Sequence, residues 1–303
     1  MTDLIGDIHG HADELEELLK KLGYSKTNGA YSHPERKVLF AGDYIDRGPK
    51  IRKTLKIVRS MVEAGSAIAI MGNHEYNALC FHLEESEGGH LRKHLIKNVI
   101  QHYKTLHAFQ NRQAEYEDYL DWFMTLPLYY ETETYRAVHA CWDNENIELL
   151  RKTLTNDRLT EAEIHEAVKR NTPLYNAMED TLKGKELRLP NNGSFIDADG
   201  EKRRHTRIKW WENPKGKTYK SLSVTKYDAL PETLIDLDDT LPNTYYGPNE
   251  KPVFFGHYWL RGNPSLFRNN ICCLDYSVAK KGKLVAYRHD GELILDEKKF
   301  VFV

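Results

Sequence analysis

Three short stretches near the start of the chain combine glycine with acidic, amide and imidazole side chains. They are GDIHG at 6–10, GDYIDRG at 42–48 and GNHE at 72–75. Carboxylate, carboxamide and imidazole groups bind divalent metals, and a paired carboxylate and histidine can also move protons. Polar residues that merely fill a turn are common, so any one stretch is weak evidence. Three in succession favour a chemical site over chance.

Each of these stretches follows a predicted buried strand, at 3–6, 37–41 and 66–71. Apolar residues recur at helical spacing between the strands, over 15–22 and 51–62. Alternating strands and helices predict an α/β core with parallel strands joined by right-handed crossovers. The carboxyl ends of parallel strands share one sheet edge, so their polar residues should converge in space. The residues concerned are Asp7, His9, Asp43, Asp46, Arg47, Asn73 and His74.

Two later predicted strands also end in histidine: YRAVHAC places His139 and PVFFGHYW places His257. A single histidine at a strand end is more often structural, so these two positions depend on the rest of the set. Mixed oxygen and nitrogen donors suit Mn, Fe, Zn, Co or Ni, and we expect Mn²⁺. With one bridging carboxylate, six ligands suit two metals about 3.5–4 Å apart. The predicted ligands are Asp7, His9, Asp43, Asn73, His139 and His257.

The three motifs, in this order and followed by strand-end histidines, resemble the calcineurin-like metallophosphoesterases. They are most similar to the branch of the Ser/Thr phosphoprotein phosphatases and the symmetrical diadenosine tetraphosphatases. The resemblance is dense over 3–76, thin around 139 and 257, and does not extend to 184–250. It implies an α/β sandwich in which two facing mixed sheets are flanked by helices.

The resemblance also implies how the metals are held. Asp43 would bridge the two ions, and Asp7 and His9 would complete the first site. The second site would be completed by Asn73, His139 and His257. Two bound metals lower the pKa of a water that they share, which agrees with a hydrolytic reaction at neutral pH.

Three further residues take chemical roles by the same resemblance. His74, paired with Asp46, would protonate the leaving oxygen, and Arg47 would hold phosphate oxygens. Histidine is an efficient proton donor near neutral pH, and a guanidinium binds phosphate through two parallel hydrogen bonds. The residue types therefore agree with the implied catalytic roles.

Two positions depart from the family pattern. Many phosphodiesterases of the superfamily end in Gly-His-x-His with a final metal-binding histidine, and Trp259 stands in that place here. This favours the phosphatase and tetraphosphatase branch. Protein phosphatases have arginine before GNHE, where this chain has Met71, and tetraphosphatases usually differ at the last letter of that motif. The two subgroups therefore stay open.

More residues separate His139 from His257 in the sequence than one α/β crossover needs. We therefore expect a partly helical cap insertion at about 144–250, within a single metallophosphoesterase domain over 1–303. Such a cap would lie over the metal cleft. A deep pocket closed by it would favour a small substrate, and an open groove would favour a protein.

Within this insertion, 184–250 is rich in Gly, Pro and Asn and includes RRHTRIKWW at 203–211. This basic, aromatic stretch could stack on a nucleotide or bind a phosphopeptide. Alternatively, it is a solvated loop whose tryptophans cover the core. Arg261, which follows His257 by four residues, is a further candidate for substrate binding.

The composition excludes several classes of protein. The chain has 303 residues and is 40% hydrophobic, which is enough for a sizeable core. Its formal net charge of −2 predicts no general polyanion-binding surface, so no specific nucleic-acid partner is expected. No run of apolar residues is long enough for a membrane span, and the start lacks a signal-peptide pattern, which predicts a cytoplasmic protein.

The remaining cysteines and histidines receive no functional role. The cysteines lack zinc-type spacing and are expected to be small buried residues: Cys80, Cys141, Cys272 and Cys273. The other histidines lie in polar sequence and are expected in exposed helices or loops: His82, His90, His94, His102, His107, His165, His205 and His289.

Together these features predict a dinuclear-metal-dependent phosphatase. It would hydrolyse a phosphoester or phosphoanhydride by in-line attack of a hydroxide that bridges the metals. The expected substrate is a phosphomonoester or a nucleotide polyphosphate, as for bis(5'-nucleosyl)-tetraphosphatases. A protein Ser/Thr or Tyr phosphatase acting on a phosphoprotein is the alternative. A non-catalytic metal-binding scaffold is a third hypothesis, although degenerate family members usually lose ligands and none is missing here.

Overall fold

The computed structural model describes residues 1–197, 200–225, 227–236 and 245–303. The strands are β1 (Thr2–Ile5), β2 (Ser25–Thr27), β3 (Ala30–Ser32), β4 (Lys37–Phe40), β5 (Ala67–Ala69), β6 (Tyr129–Glu131), β7 (Arg136–Val138), β8 (Glu186–Arg188), β9 (Phe195–Ile196), β10 (Lys202–Arg203), β11 (His205–Arg207), β12 (Val253–Phe255), β13 (Ile271–Cys273), β14 (Asp275–Tyr276), β15 (Lys283–His289) and β16 (Phe300–Phe302). The helices are α1 (Ala12–Lys21), α2 (Ile51–Glu63), α3 (Asn73–His82), α4 (Ile96–Ala108), α5 (Gln113–Met124), α6 (Asn144–Thr153), α7 (Glu161–Ala167), α8 (Pro173–Lys183) and α9 (Tyr219–Leu222).

The first sheet contains the strands that precede the three glycine-flanked motifs. Its order is β14-β15-β1-β4-β5, and β16 also pairs with β15. Strands β1, β4 and β5 are parallel, with Leu4 beside Leu39 and Ile5 beside Phe40, whereas β15 is antiparallel to β1. The carboxyl ends of β1, β4 and β5 therefore lie at the same edge of the sheet.

The second sheet contains the strands that precede the two later histidines. Its order is β13-β12-β7-β6, with β12 parallel to both β7 and β13 and β6 antiparallel to β7. His139 follows β7 directly, and His257 lies just beyond β12. Both histidines are thus at the carboxyl ends of neighbouring parallel strands.

The side chains of these strands are divided between two apolar cores. Leu39 and Phe254 belong to a cluster that joins the two sheets, whereas their neighbours Phe40 and Phe255 belong to a cluster that includes the helices. This division follows from the alternation of side chains along a strand. Full burial of each of these side chains stabilises the fold by about 1.5–3 kcal/mol. The predicted α/β sandwich with helices outside two mixed sheets is confirmed.

The predicted helices are present with small shifts at their ends. Helix α2 covers the predicted stretch 51–62, and its periodic residues Leu55 and Val58 are buried. The hairpin of β2 and β3, and the strands β6 and β14, are not anticipated from the sequence. Each is only two or three residues long, which is too short for an apolar period to identify.

The stretch between β7 and β12 combines helices with two small ladders, β8 with β11 and β9 with β10. Helix α8 lies beside the end of β7, where the Ala140 amide donates to the Thr181 carbonyl at 3.0 Å. The ladders enclose an apolar cluster of their own, which includes Leu187, Ile208 and Leu222. Parts of the predicted cap, at 198–199, 226 and 237–244, lie outside the described residues.

The basic and aromatic stretch at 203–211 divides in two. Trp210 and Trp211 are buried, and the indole N–H of Trp210 donates to the Tyr258 hydroxyl at 3.1 Å. Arg203 and His205 are exposed on strands β10 and β11. The tryptophans therefore cover the core, as one of the two sequence alternatives predicts.

The four cysteines have the burial that the sequence predicts. Cys80, Cys141, Cys272 and Cys273 are buried and free. Within the described part of the chain, no helix is both long enough and apolar enough to cross a membrane. Burial raises the pKa of the Cys80 thiol to about 11, which is typical of an unreactive structural cysteine.

Candidate metal and phosphate site

All of the predicted ligands meet at the shared carboxyl edge of the two sheets. None of their side chains is more than 6% exposed, which is unusual for so many polar groups in one place. Buried polar atoms require partners, and a cluster of carboxylate and imidazole groups satisfies that need with metal ions. The converging residues are Asp7, His9, Asp43, Asn73, His74, His139 and His257.

Asp43 lies at the centre of this cluster. Its Oδ2 lies 3.5 Å from Nε2 of His9 and 3.4 Å from Nε2 of His139. Two groups of potential metal ligands form around it, one with His9 and His74 and the other with His139 and His257. Burial would raise the pKa of Asp43, but the neighbouring imidazoles hold it well below its ordinary value. Asp43 is therefore an ionised carboxylate common to both groups, as a bridging ligand must be.

Asn73 joins the two histidines of the second sheet. Its Oδ1 lies 3.0 Å from Nε2 of His139 and 2.8 Å from Nδ1 of His257. The Nε2 atoms of His9 and His257 are buried and have no hydrogen-bond partner among the described residues. Unpartnered buried nitrogens are costly, so their presence indicates that the cluster is built for a ligand. This donor set fits divalent cations.

Asp7 lies at the point where the two sheets meet. Its carboxylate accepts the His257 amide, with 3.0 Å from that nitrogen to Oδ2 and 3.3 Å to Oδ1. A Cβ on Gly256 would lie 1.8 Å from Oδ1 of Asp7, so only glycine permits this approach. Burial, and then the charges of Asp275 and Asp43, raise the pKa of Asp7, which favours a bound cation as its partner. The first group of potential ligands contains His74 where the sequence argument places Asp7.

His74 and Asp46 form the predicted carboxylate–histidine pair. Nδ1 of His74 lies 2.5 Å from Oδ2 of Asp46, and its Nε2 lies 3.9 Å from Oδ2 of Asp43. Burial alone would lower the pKa of His74, but Asp43 and Asp46 raise it above its ordinary value. His74 can therefore carry a proton into the site, which is the requirement for protonating a leaving oxygen.

Arg47 and Trp259 lie together beside the cluster. The Arg47 guanidinium lies 4.6 Å from the centre of the indole ring, which also stacks on the His9 imidazole at 5.3 Å. Lys280 lies over the same indole at 4.8 Å. The position where other family branches have a histidine is thus occupied by an aromatic support for an arginine. Arg261 is exposed, and in the described part of the chain no hydrogen bond or ion pair joins it to this group.

The backbone of the site is held in a sparsely populated conformation. Six of its non-glycine residues have positive φ, a region that costs about 1–3 kcal/mol where the side chain is bulky. Strain of this kind persists only where surrounding contacts impose it, and it is concentrated in loops that aim side chains at a ligand. The six are His9, Asp43, Asp46, Arg47, His257 and Trp259.

Glu75 is a site residue that the sequence argument missed. Its carboxylate accepts the amides of Asp43 at 2.9 Å, Tyr44 at 2.8 Å and Gly72 at 3.0 Å. It therefore fixes two of the three glycine-flanked turns to each other. Burial, and then the nearby Asp43, raise the pKa of Glu75 to about 7. Glu75 lies in the first turn of α3, at a typical capping position. This position is the sequence feature from which its binding to backbone amides could have been predicted.

Asp275 was also missed, although the same strand-end rule applies to it. It follows β13 at the carboxyl edge and is 2% exposed. Its Oδ2 accepts the Trp259 amide at 2.7 Å, and its Oδ1 accepts the Ser277 amide at 2.9 Å. Asp275 thereby holds the loop that carries His257 and Trp259.

The expectation that the remaining histidines are exposed is wrong for two of them, which are buried, and three others are only partly exposed. His102 is 5% exposed and its Nδ1 lies 2.8 Å from Oδ1 of Asp46. His289 is 2% exposed, and one of its ring nitrogens lies 2.9 Å from the Glu292 carbonyl. His82, His90 and His165 are partly buried. A polar stretch can still bury one helical face, so composition alone does not decide which side of α4 faces inward.

Comparison with known families agrees with this geometry. Residues 2–258 match the calcineurin-like phosphoesterase family, and the chain belongs to that family. Members of this family are metal-dependent hydrolases of phosphoester or phosphoanhydride bonds. The buried carboxylate, amide and imidazole groups of the site are the kinds of metal ligand that such an enzyme needs.

Two bacterial proteins are similar to parts of this chain. The chain is 34% identical over 141 residues to bis(5'-nucleosyl)-tetraphosphatase PrpE [asymmetrical] of Oceanobacillus iheyensis, covering 46% of this chain and 54% of that protein. It is 47% identical over 73 residues to the protein of that name from Halalkalibacterium halodurans, and this match covers 24% of this chain and 30% of that protein. The chain thus spans about half or less of these relatives' length. They are named asymmetrical, whereas the sequence resemblance pointed to symmetrical tetraphosphatases.

A solved structure shows the same fold. A protein serine/threonine phosphatase from Saccharomyces cerevisiae with similarity to human phosphatase PP5 superposes with a TM-score of 0.51 at 15% identity, covering all of this chain and 78% of that one. A structure described as a putative diadenosine tetraphosphatase gives a TM-score of 0.46 at 18% identity, covering 100% and 92%. At 15% identity the likeness to the yeast phosphatase concerns the fold alone.

Proposed function

We propose that the chain is a dinuclear-metal-dependent hydrolase of phosphoanhydride or phosphomonoester bonds in nucleotide polyphosphates or similar small phosphorylated molecules. The observation that carries the proposal is the sharing of Asp43 by two groups of buried ligands. His74, which we assign as the proton donor, belongs to one of these groups, and Arg47, which we assign as the phosphate-binding cation, lies beside them. The non-catalytic scaffold hypothesis does not account for the donor and the cation at the same edge.

The proposed metal ligands are the six residues predicted from the sequence: Asp7, His9, Asp43, Asn73, His139 and His257. When bound, two divalent cations, which we propose to be Mn²⁺, would lower the pKa of a shared water and stabilise negative charge on phosphoryl oxygens. Backbone carbonyls would also orient two of the proposed histidine ligands, since one ring nitrogen of His9 lies 2.9 Å from the Ile45 carbonyl. One ring nitrogen of His139 lies 2.8 Å from the Ala41 carbonyl. Such contacts fix the orientation of metal-binding imidazoles.

The chain's own residues supply the other parts of the reaction. Arg47 binds phosphoryl oxygens, and its position is set by the Trp259 ring beneath it. The Nε2 proton of His74 passes to the leaving oxygen as its bond to phosphorus breaks. Asp46 stays ionised on the other side of the ring and stabilises the protonated imidazole before transfer.

The substrate class is inferred from the insertion and from the relatives. Tyr258, next to His257, accepts the Trp210 indole N–H, and a Cβ on Gly184 would lie 2.3 Å from the Tyr258 hydroxyl. The insertion is therefore anchored beside the proposed metal ligand His257. We propose that it acts as a cap which narrows the cleft and favours a small substrate. The names of the bacterial relatives point to nucleoside polyphosphates as that substrate.

Arg207 of the insertion is the proposed ligand for a further phosphate. Its Nε is buried without a hydrogen-bond partner among the described residues, and Glu186 Oε1 lies 3.9 Å away. Arg207 ends β11, three residues before Trp210, whose indole N–H donates to Tyr258 next to the proposed ligand His257. An arginine in that position suits a second phosphate of a polyphosphate chain. Arg261 is proposed as a weaker contact at the exposed rim.

A substrate panel tests the proposal. The purified chain is assayed with added Mn²⁺, and in parallel with a chelator, on diadenosine tetraphosphate, ATP, p-nitrophenyl phosphate, a phosphoserine peptide and a phosphotyrosine peptide. We expect metal-dependent turnover, with kcat/KM higher for the nucleotide polyphosphates than for the peptides. Product chromatography then identifies the bond that is cleaved. Higher kcat/KM for either peptide would instead establish a protein phosphatase, and absence of turnover on all five would refute catalysis.

An Arg207→Met variant tests the polyphosphate assignment within the same panel. The loss of one charge-assisted hydrogen bond should raise KM for diadenosine tetraphosphate roughly tenfold. KM for p-nitrophenyl phosphate, which has a single phosphate, should change less than twofold. Arg203→Met, on an exposed neighbouring strand, is the matched control and should leave both values unchanged. Equal effects of Arg207→Met on both substrates would contradict the assignment.

A further inference from the structure

A hydrogen-bonded chain extends from the His74–Asp46 pair into the helices α4 and α5. Nδ1 of His102 lies 2.8 Å from Oδ1 of Asp46, and Nε2 of His102 lies 2.6 Å from the Tyr116 hydroxyl. Asp46, His102 and Tyr116 are all buried. His102 and Tyr116 lie outside the three glycine-flanked motifs, so neither was predicted to belong to the site.

Each hydrogen bond between His74, Asp46, His102 and Tyr116 has one consistent direction from donor to acceptor. Burial would raise the pKa of Asp46, but its hydrogen bonds to His102 and His74 hold the pKa below the ordinary range, so the carboxylate accepts. His102 then donates from Nδ1, which leaves its Nε2 to accept the Tyr116 O–H. Burial raises the pKa of Tyr116 well above its ordinary value, so that hydroxyl keeps its proton.

Thr105 completes the environment of the carboxylate. Its hydroxyl donates to Oδ1 of Asp46 at 2.5 Å and accepts the Asp46 amide at 3.0 Å. Thr105 and His102 lie one turn apart on α4, so the same helical face presents both groups. Asp46 has positive φ, which is a strained conformation that these contacts from α4 help to impose.

We propose that His102 and Tyr116 are positioning residues for protonation of the leaving group. The proposal rests on the role of His74 given under the proposed function. During hydrolysis the oxygen of water bonds to phosphorus, the bond to the leaving oxygen breaks, and the Nε2 proton of His74 moves to that oxygen. A proton released by the attacking water restores His74 afterwards. His102 and Tyr116 keep Asp46 ionised and turned toward Nδ1 of His74, so that Nε2 faces the leaving oxygen.

The dependence on the leaving group tests this role. p-Nitrophenolate departs without a proton, whereas phenolate is far more basic and needs one. With the Mn²⁺-loaded enzyme, His102→Leu should lower kcat on phenyl phosphate about 10-fold to 100-fold, the range seen when supporting partners are removed. We expect kcat on p-nitrophenyl phosphate to fall less than threefold, with KM unchanged on both substrates. His74→Asn should show the same selectivity with a larger loss, about 100-fold to 10,000-fold.

Two conservative variants separate positioning from structure. His102→Asn keeps an N–H donor near Oδ1 of Asp46 and should restore most of the phenyl phosphate activity. Tyr116→Phe removes one oxygen atom without opening the core and should show the selective loss at smaller size. Metal content and thermal melting of each variant show whether it is folded and loaded. Should His102→Leu fail to fold, Tyr116→Phe decides the question.

The outcomes are distinct for this proposal and for the proposed function. Equal losses on the two aryl phosphates, or an Asn variant no better than the Leu variant, would overturn the positioning role while leaving the hydrolase intact. A His74→Asn variant without leaving-group selectivity would overturn the assignment of the proton donor and this proposal with it. A wild-type chain inactive on both aryl phosphates and on nucleotide polyphosphates would overturn the proposed function itself.

Discussion

Substitution of Gly256 by alanine is a sharp test of how the two sheets build the site. A Cβ at this position would lie 1.8 Å from Oδ1 of Asp7 and 3.0 Å from its Cγ. Non-bonded carbon and oxygen atoms do not approach below about 3 Å, so Asp7 or the turn at 256–257 must move by roughly 1 Å. The φ of Gly256 is not positive, so alanine itself is compatible with the backbone and the effect is purely steric.

A displacement of about 1 Å at a site of this kind lowers the rate by roughly 100-fold. It also breaks the hydrogen bond from the His257 amide to Asp7. We therefore expect Gly256→Ala to lose metal content, measured by elemental analysis, and to lose at least roughly 100-fold in kcat/KM. Crowding of a buried position should also lower the free energy of unfolding by about 1–3 kcal/mol.

Gly247→Ala is the matched control. This glycine also lacks a positive φ, and among the described residues its added Cβ would meet only Glu250 Cγ, at an ordinary 3.8 Å. The control should keep metal, activity and melting temperature. If Gly256→Ala bound both metals and kept kcat/KM within threefold of the wild type, the placement of Asp7 against this turn would be wrong.

Three further predictions concern other parts of the molecule. Asp43→Asn should abolish activity and reduce bound metal, because Asp43 is the carboxylate common to both ligand groups; full metal content by elemental analysis would contradict this. Trp259→Leu should raise KM about fivefold through loss of the contact with the Arg47 guanidinium at 4.6 Å, whereas Trp259→Phe, which keeps a ring, should raise it less. Burial raises the pKa of Asp180 from 3.8 to about 6, so the folded chain holds this proton more tightly than the unfolded chain, and stability should fall as pH rises from about 4 to about 6. Asp180→Asn should remove this pH dependence of stability and raise the melting temperature at pH 7, with a gain of at most about 3 kcal/mol in the free energy of unfolding. Melting curves recorded from about pH 4 to about pH 6 test this, and an unchanged pH dependence in the variant would refute the role of Asp180.

The sequence alone determined the strands that carry the motifs and the sheet edge at which they end. Local rules were sufficient there, because apolar runs identify strands and glycine marks the turns that follow. Asp7, Asp43 and Asn73 could therefore be placed together although they are distant in sequence. His139 and His257 required the further assumption that a second sheet faces the first.

Only the tertiary structure decided what supports these residues. Glu75 and Asp275 act through backbone amides of other loops, and a contact of that kind leaves no periodic pattern in the sequence. His102 looked like an exposed helical histidine, since its stretch is polar and nothing local indicates that Asp46 lies against α4. Trp259 stood out in the sequence only as a missing histidine, and its place under Arg47 depends on the positive φ that turns the chain there.

The difference has one physical reason. Strands and turns arise from interactions between neighbours along the chain, which the order of residues records directly. The support of Asp46 and Asp7 arises from packing between segments brought together by two sheets and their helices, with hydrogen bonds that form only once those elements have docked. The sequence by itself therefore predicted which groups would perform the chemistry, and the tertiary structure decided which residues hold them in position.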